Sequence, residues 1–129
     1  MCSSDLRYLE NHLCKWRFAE KRCVQEVVDS ISAETIFHLG AQTIVGQALI
    51  DPVETFESNI LGTWNLLEVA RERKLKRVLV ASSDKAYGTA KVLPYDEETP
   101  LAGEGPYDVS KSCTDLLADR KSTRLNSSH

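Results

Sequence analysis

The chain has 129 residues, 42% apolar and 27% charged, the size and balance of one globular domain rather than a disordered segment. Sixteen basic residues against 19 acidic ones give a net charge of −3, so there is no cationic excess to neutralise a nucleic-acid backbone. No apolar run reaches the length of a membrane span, and Met1 to Lys15 lacks the apolar core and cleavage site of a secretory signal. Cys2, Cys14, Cys23 and Cys113 form no C-x-x-C pair, and only His12, His38 and His129 could join them. Neither a metal site nor a disulfide scaffold is expected, and a reducing cytoplasm is the expected compartment.

The two ends differ from the middle. The head Met1-Cys-Ser-Ser-Asp-Leu6 and the tail Asp119-Arg-Lys-Ser-Thr-Arg-Leu-Asn-Ser-Ser-His129 resemble conceptual translations of a sequencing adaptor read from opposite strands. The tail has one apolar residue, Leu125, and replaces an amphipathic pattern that was still running. On this reading residues 1–6 and 119–129 are adaptor-like artefacts, excluded from fold reasoning as a tag would be. Residues 7–118 are then an internal piece of a longer protein.

Arg7 to Lys21 is polar and irregular and supports no assignment. From Glu20 to Ser30, with Val24, Val27, Val28 and Ile31 at helical spacing, the pattern predicts a helix. Thr35-Ile-Phe-His-Leu-Gly-Ala41 predicts a buried strand and a tight loop. Asp51-Pro-Val-Glu54 is a strong helix start: Asp51 can cap, Pro52 suits the first turn, and Glu54 can complete a capping box. Val53, Phe56, Ile60, Thr63, Leu67 and Ala70 continue that helix to about Arg73. Lys76-Arg-Val-Leu-Val-Ala-Ser-Ser83 predicts a second buried strand, Asp84 to Gly105 a loop, and Pro106 to Leu117 another helix. Strand, helix, strand, helix is the pattern of a right-handed parallel α/β unit.

Ligands of open parallel sheets bind beyond the carboxyl ends of the strands. The first strand ends in His38-Leu-Gly-Ala-Gln-Thr43, where Gly40 and Ala41 are small enough for a flat cofactor to approach, although a plain turn accounts for this segment as readily. The second ends in Ser82-Ser83-Asp84-Lys85, richer in functional groups than a turn requires. Tyr107-Asp-Val-Ser-Lys111 opens a helix, and residues four apart share a helical face. A lysine ammonium near a phenol favours the phenolate, which makes Tyr107 a candidate base for a sugar hydroxyl, with Ser83 able to hydrogen-bond the same oxygen. Tyr87 and Lys91 repeat the Y-x-x-x-K spacing, but Gly88 lies between them and the segment reads as loop, so that pair is not expected to share a face.

These landmarks, with Phe56-Glu-Ser-Asn-Ile-Leu-Gly-Thr63, Ser82-Ser-Asp-Lys-Ala-Tyr-Gly88 and Pro106-Tyr-Asp-Val-Ser-Lys111, resemble the extended short-chain dehydrogenase/reductase family of nucleotide-sugar epimerases and dehydratases. The resemblance covers roughly Glu34 to Ala118. It implies that residues 7–118 are a partial NAD-binding Rossmann domain, part of a doubly wound parallel sheet. It further implies that Leu39, Gly40, Ala41, Gln42 and Thr43 lie along NAD, that Ser58 and Ser82 contact it, and that Lys111, with Tyr107, holds the nicotinamide ribose. NADP is also compatible. Ser83, Tyr107 and Lys111 match the family's catalytic triad.

Asp84-Lys85 distinguishes branches of that family and is similar to the pair found in CDP-glucose 4,6-dehydratases. The resemblance implies that Tyr107 removes the C4 hydroxyl proton while NAD accepts hydride. Lys85 then removes the C5 proton, Asp84 protonates the departing C6 oxygen, and the hydride returns to C6. An amine can act so only when neutral, which needs burial or a cationic neighbour. A 4-epimerase, which releases no water, is one alternative; a non-catalytic NAD-binding member is another, against which the presence of Ser83, Tyr107 and Lys111 argues. The glycine-rich pyrophosphate fingerprint is absent from the 129 residues, so this polypeptide alone is expected to bind NAD poorly and to be inactive. The implied partners are a nucleotide sugar and, for the full-length form, a second copy of the protein.

Overall fold

The computed structural model describes residues 19–89 and 93–126. The head, most of the unassigned segment 7–21, Lys91 and residues 127–129 lie outside them. Helix α1 (Lys21–Ser30) starts at Glu20 without a side-chain cap and buries Val24 and Val28. At its end Ser32 takes a positive φ of 48°, while the Ser32 and Ala33 amides donate back to the Asp29 and Val28 carbonyls. This is a Schellman cap. Strand β1 (Thr35–His38) follows.

The same device recurs later. Helix α4 (Gly62–Glu72) ends with Lys74 at φ 53°, and the Lys74 and Leu75 amides donate to the Arg71 and Ala70 carbonyls. Strand β2 (Arg77–Val80) follows at the same distance from its cap as β1. The two strands pair in parallel, Thr35 with Arg77 through His38 with Val80. Arg73 donates from Nε and Nη2 to both Asp29 carboxylate oxygens, at 2.6 and 2.8 Å, so the two caps lie side by side.

Between the strands the predicted single helix is three pieces. A short helix α2 (Val45–Ile50), not foreseen from the sequence, precedes α3 (Pro52–Phe56). Asp51 caps α3 by accepting from the Glu54 amide at 3.0 Å, as the Asp-Pro start predicts. A π-helical turn (Glu57–Leu61) then joins α3 to α4. The predicted core stripe is correct at Thr63, Leu67 and Ala70 but not at Val53 and Phe56, which are exposed; Thr55 and Asn59 face inward instead. A π turn carries an extra residue, so the buried face is displaced from where a continuous 3.6-residue period puts it.

One face of the sheet is covered. Val24, Val28, Leu66 and Val69 pack with Ile36 and Val78 between the strands and helices α1 and α4. On the other face Phe37 (68% exposed) and Leu79 (48% exposed) are register partners open to solvent, so neither strand is buried on both sides as its apolar run suggested.

After β2 a 3₁₀ turn (Asp84–Tyr87) interrupts the predicted loop. Helix α5 (Pro106–Asn126) begins where Pro106 predicts and continues past Leu117 and Ala118. It meets α3, the π turn and α4 through small polar side chains rather than aliphatic ones: Thr55, Asn59 and Thr63 on one side, Ser110 and Thr114 on the other, all buried. Among the described residues no helix is long and apolar enough to cross a membrane.

Candidate active site

The carboxyl ends of β1 and β2, the π turn and α5 converge on a narrow, shallow crevice. His38, Gly40, Ala41, Asn59, Lys111 and Thr114 are among the residues that line it. Small residues at Gly40, Ala41 and Ala81 leave the strand ends approachable, which is where a parallel sheet places its ligand.

Lys111 is the charged group of the crevice. It is 5% exposed, and its ammonium donates to the Ala81 carbonyl, just past β2, at 2.7 Å. Burial pushes its pKa below the ordinary 10.5, opposed by the Asp115 carboxylate one helical turn on. Tyr107, one turn before Lys111, is buried as well. The helix predicted from Pro106 therefore sets both groups of the Y-x-x-x-K pattern on α5, with Lys111 fixed to the strand end that leads into Ser82 and Ser83.

His38 is buried and shares a 3.0 Å hydrogen bond between Nε2 and Thr63 Oγ1. Its burial, and secondarily the Lys111 ammonium, hold it below the usual imidazole pKa. A neutral His38 leaves Lys111 without a second cation at that position.

Asn59, 1% exposed, ties the β1 loop to α5. Its Oδ1 accepts from the Gln42 amide at 2.7 Å, and its Nδ2 donates to the Gln42 carbonyl at 3.0 Å and to Ser110 Oγ at 2.9 Å. Ser110 donates on to the Tyr107 carbonyl at 2.7 Å, and Thr114 Oγ1 lies 3.3 Å from the Asn59 carbonyl. The Gln42 side chain donates to the Ile44 carbonyl at 3.0 Å, whereas its buried Oε1 has no hydrogen-bond partner among the described residues. A buried acceptor without a donor is a position where a ligand N–H or O–H would be stabilised.

The other residues singled out from the sequence lie around this centre. Leu39 and Thr43 are exposed, and Ser58 sits half-buried in the π turn beside the crevice-lining Asn59. Ser82, Asp84 and Lys85 are exposed and Ser83 half-buried. Ser83 caps the 3₁₀ turn: its Oγ accepts from the Lys85 amide at 3.2 Å and donates to Asp84 Oδ1 at 3.1 Å. Tyr87 stacks on Tyr95 with ring centroids 4.9 Å apart, an aromatic contact within the loop.

Sequence reasoning missed Asn59, Ser110 and Thr114 as one buried network, and Thr63 as the partner of His38. Their signal is in the sequence: Thr55, Asn59 and Thr63 are polar residues four apart in a helical pattern, and so are Ser110 and Thr114.

The family model for GDP-mannose 4,6 dehydratases matches residues 7–124, a range that includes the unassigned segment 7–21. The chain is 34% identical over 112 residues to a CDP-glucose 4,6-dehydratase of Salmonella typhimurium strain LT2, covering 85% of this chain and 31% of the relative. It is 31% identical over 80 residues to a UDP-glucose 4-epimerase of Halalkalibacterium halodurans, covering 62% of this chain and 24% of that relative. The solved UDP-glucose 4-epimerase of Thermus thermophilus, in complex with NAD, aligns with a TM-score of 0.77 at 26% identity, covering 84% of this chain and 36% of the other. The chain thus spans about a third or less of the length of these relatives. Dehydratases and epimerases match at similar identity, and the α/β fold, the family match and these relatives agree: the chain belongs to the NAD-dependent nucleotide-sugar epimerase/dehydratase family, within the extended short-chain dehydrogenases/reductases.

Proposed function

We propose that the protein carrying this sequence is an NAD-dependent nucleotide-sugar 4,6-dehydratase, acting on a substrate such as CDP-glucose. The observation that carries the reading is the capped 3₁₀ turn after β2, which sets a carboxylate, Asp84, and an amine, Lys85, directly after Ser83. An epimerase has no use for that second acid–base pair, because it removes no water.

The residues present fit NAD. Small residues line the crevice, the Lys111 ammonium is fixed beside the strand end, and on the adjoining loop Gln42 Oε1 is a buried acceptor without a donor among the described residues. Leu39, Gly40, Ala41, Gln42 and Thr43 would lie along the cofactor with Ser58 and Ser82 near it, and Tyr107 and Lys111 would hold its ribose. NADP would use the same crevice. Bound there, NAD would accept a hydride from the sugar C4 and return it to C6 after water has left, so the cofactor is regenerated.

The remaining work falls to side chains. Tyr107 takes the C4 hydroxyl proton, while Ser83 hydrogen-bonds the same oxygen. Once C4 is a ketone the C5 proton is acidified, and Lys85 removes it. Asp84 delivers a proton to the C6 oxygen as water departs. Lys85 is exposed, so bound substrate would have to cover it.

A second copy of the protein is the expected macromolecular partner. Val53, Trp64 and Leu116 are exposed apolar side chains on α3, α4 and α5, the kind of surface a self-associating helical face presents.

The test is to express the complete reading frame that contains this sequence and incubate the product with CDP-glucose and NAD. Loss of one water from the sugar, read by mass spectrometry, with a ketone at C4, read by NMR, is the expected result. Unchanged mass with inverted C4 would make it an epimerase. NAD binding without turnover of any nucleotide sugar would make it a non-catalytic member.

A further inference from the structure

Consecutive residues of α5 grip the two ends of the segment that carries Ser82, Ser83, Asp84 and Lys85. Lys111 donates to the Ala81 carbonyl just before it, at 2.7 Å. Ser112 donates from Oγ to the Ala86 carbonyl just after it, also at 2.7 Å, in preference to the Asp108 carbonyl one helical turn back, which lies farther away at 3.1 Å. The Ala86 carbonyl accepts a second bond, from the Ala102 amide at 3.0 Å, and Ala86 itself is 1% exposed. Segment, helix and distal loop thus meet at one buried carbonyl.

We infer that Ser112 is a positioning residue, fixing the Ser83–Lys85 turn against the helix that carries Tyr107 and Lys111. The inference rests on the dehydratase reading for its consequence in catalysis, but not for its geometry. Without the hydroxyl the internal bonds of the turn, from the Ala86 amide to the Ser83 carbonyl at 3.0 Å and from the Gly88 amide to the Lys85 carbonyl at 3.1 Å, keep their partners but open more often. What the turn loses is a direct tether to α5. Held to α5 by Lys111 at the Ala81 end, Asp84 and Lys85 then shift more readily relative to Tyr107, and a displacement of that kind lowers turnover more than it lowers affinity.

The experiment compares wild type with Ser112→Ala and Ser112→Thr, each expressed from the complete reading frame. Two quantities are read: amide exchange at Ala86, Gly88 and Ala102, and steady-state kinetics with CDP-glucose and NAD. The expected result for Ser112→Ala is faster exchange at those three amides, with kcat lowered about tenfold, unchanged KM for the sugar and unchanged NAD affinity. Ser112→Thr keeps the hydroxyl and is expected to restore both. A wild type that turns over no nucleotide sugar overturns the dehydratase reading, while exchange still tests the tether. Exchange in Ser112→Ala equal to wild type overturns the inference whatever the kinetics. Altered exchange with unchanged kcat in an active enzyme overturns the positioning role. A loss shared equally by Ser112→Ala and Ser112→Thr also overturns it, because the hydroxyl would not then be the cause.

Discussion

Replacing Asn59 with alanine separates the polar network of the crevice from the aliphatic core. The side chain is 1% exposed and makes three hydrogen bonds, two to the Gln42 backbone and one to Ser110. Truncation orphans the Gln42 amide and carbonyl but not Ser110, which keeps its 2.7 Å bond to the Tyr107 carbonyl. Gln42 is half-buried, so each orphaned group costs near the low end of the usual range, about 1 kcal/mol. The missing atoms leave a void worth roughly another 1 kcal/mol. The total is about 3 kcal/mol, some two decades in the unfolding equilibrium and a large part of an ordinary domain's stability. Asn59→Asp keeps an acceptor for the Gln42 amide but sets a buried carboxylate against the Gln42 carbonyl, and should cost at least as much as Asn59→Ala. Urea unfolding followed by far-UV circular dichroism measures both, with a shared slope. A cost below about 1 kcal/mol for Asn59→Ala would mean that the Gln42 loop is held by something else, and the network argument would fail.

Three further outcomes are expected. Gly88 has φ 65° and ψ −149°, a region essentially reserved for glycine, and a Cβ there would lie 2.1 Å from the Ala102 carbonyl oxygen; Gly88→Ala should lose about 3 kcal/mol or more, read from the same urea midpoint, and a loss under about 1 kcal/mol would refute the close approach. The unfolded chain protonates His38 near 6.5 and the folded chain only at lower pH, so the unfolded state binds more protons between those values. Stability should therefore fall as pH drops below about 6.5, and His38→Gln should flatten that part of the profile; an unchanged profile would assign the dependence to other groups. Lys111→Met removes the ammonium on the Ala81 carbonyl and should lower kcat/KM about 100-fold or more, with the fold retained by circular dichroism; near-wild-type turnover would remove Lys111 from the mechanism.

Local signals carried much of this structure. Asp51 and Pro106 mark helix starts because capping and a fixed proline φ act over a few residues, and both starts are observed. The strand cores at Thr35–His38 and Arg77–Val80 were legible as short apolar runs, but an apolar run does not say which face is covered, and Phe37 and Leu79 are open. The stripe through Val53 and Phe56 failed because the π turn at Glu57–Leu61 breaks the period on which it was built. Helix α2 is only six residues long, Val45–Ile50, too short for periodicity to register. At the site, Tyr107 and Lys111 could be paired from sequence because four residues make one helical turn. The Asn59 bonds to Gln42 and Ser110 span 17 and 51 residues, a proximity created only by folding.

The matching helix–cap–strand units have a consequence for length variation. From Ser32 to Thr35 and from Lys74 to Arg77 the chain takes the same number of steps, and Thr35 and Arg77 become register partners. Side chains alternate between faces of a strand, so removing one residue from either connection exchanges inside for outside along that strand. Loss of a residue before β1 would turn Phe37 toward α1 and α4 and send Ile36 and His38 outward, taking the His38 bond to Thr63 with it. Insertions and deletions here should be accepted only in pairs of residues or in both connections together, whereas the longer connection between Tyr87 and Pro106 is bound by no such parity.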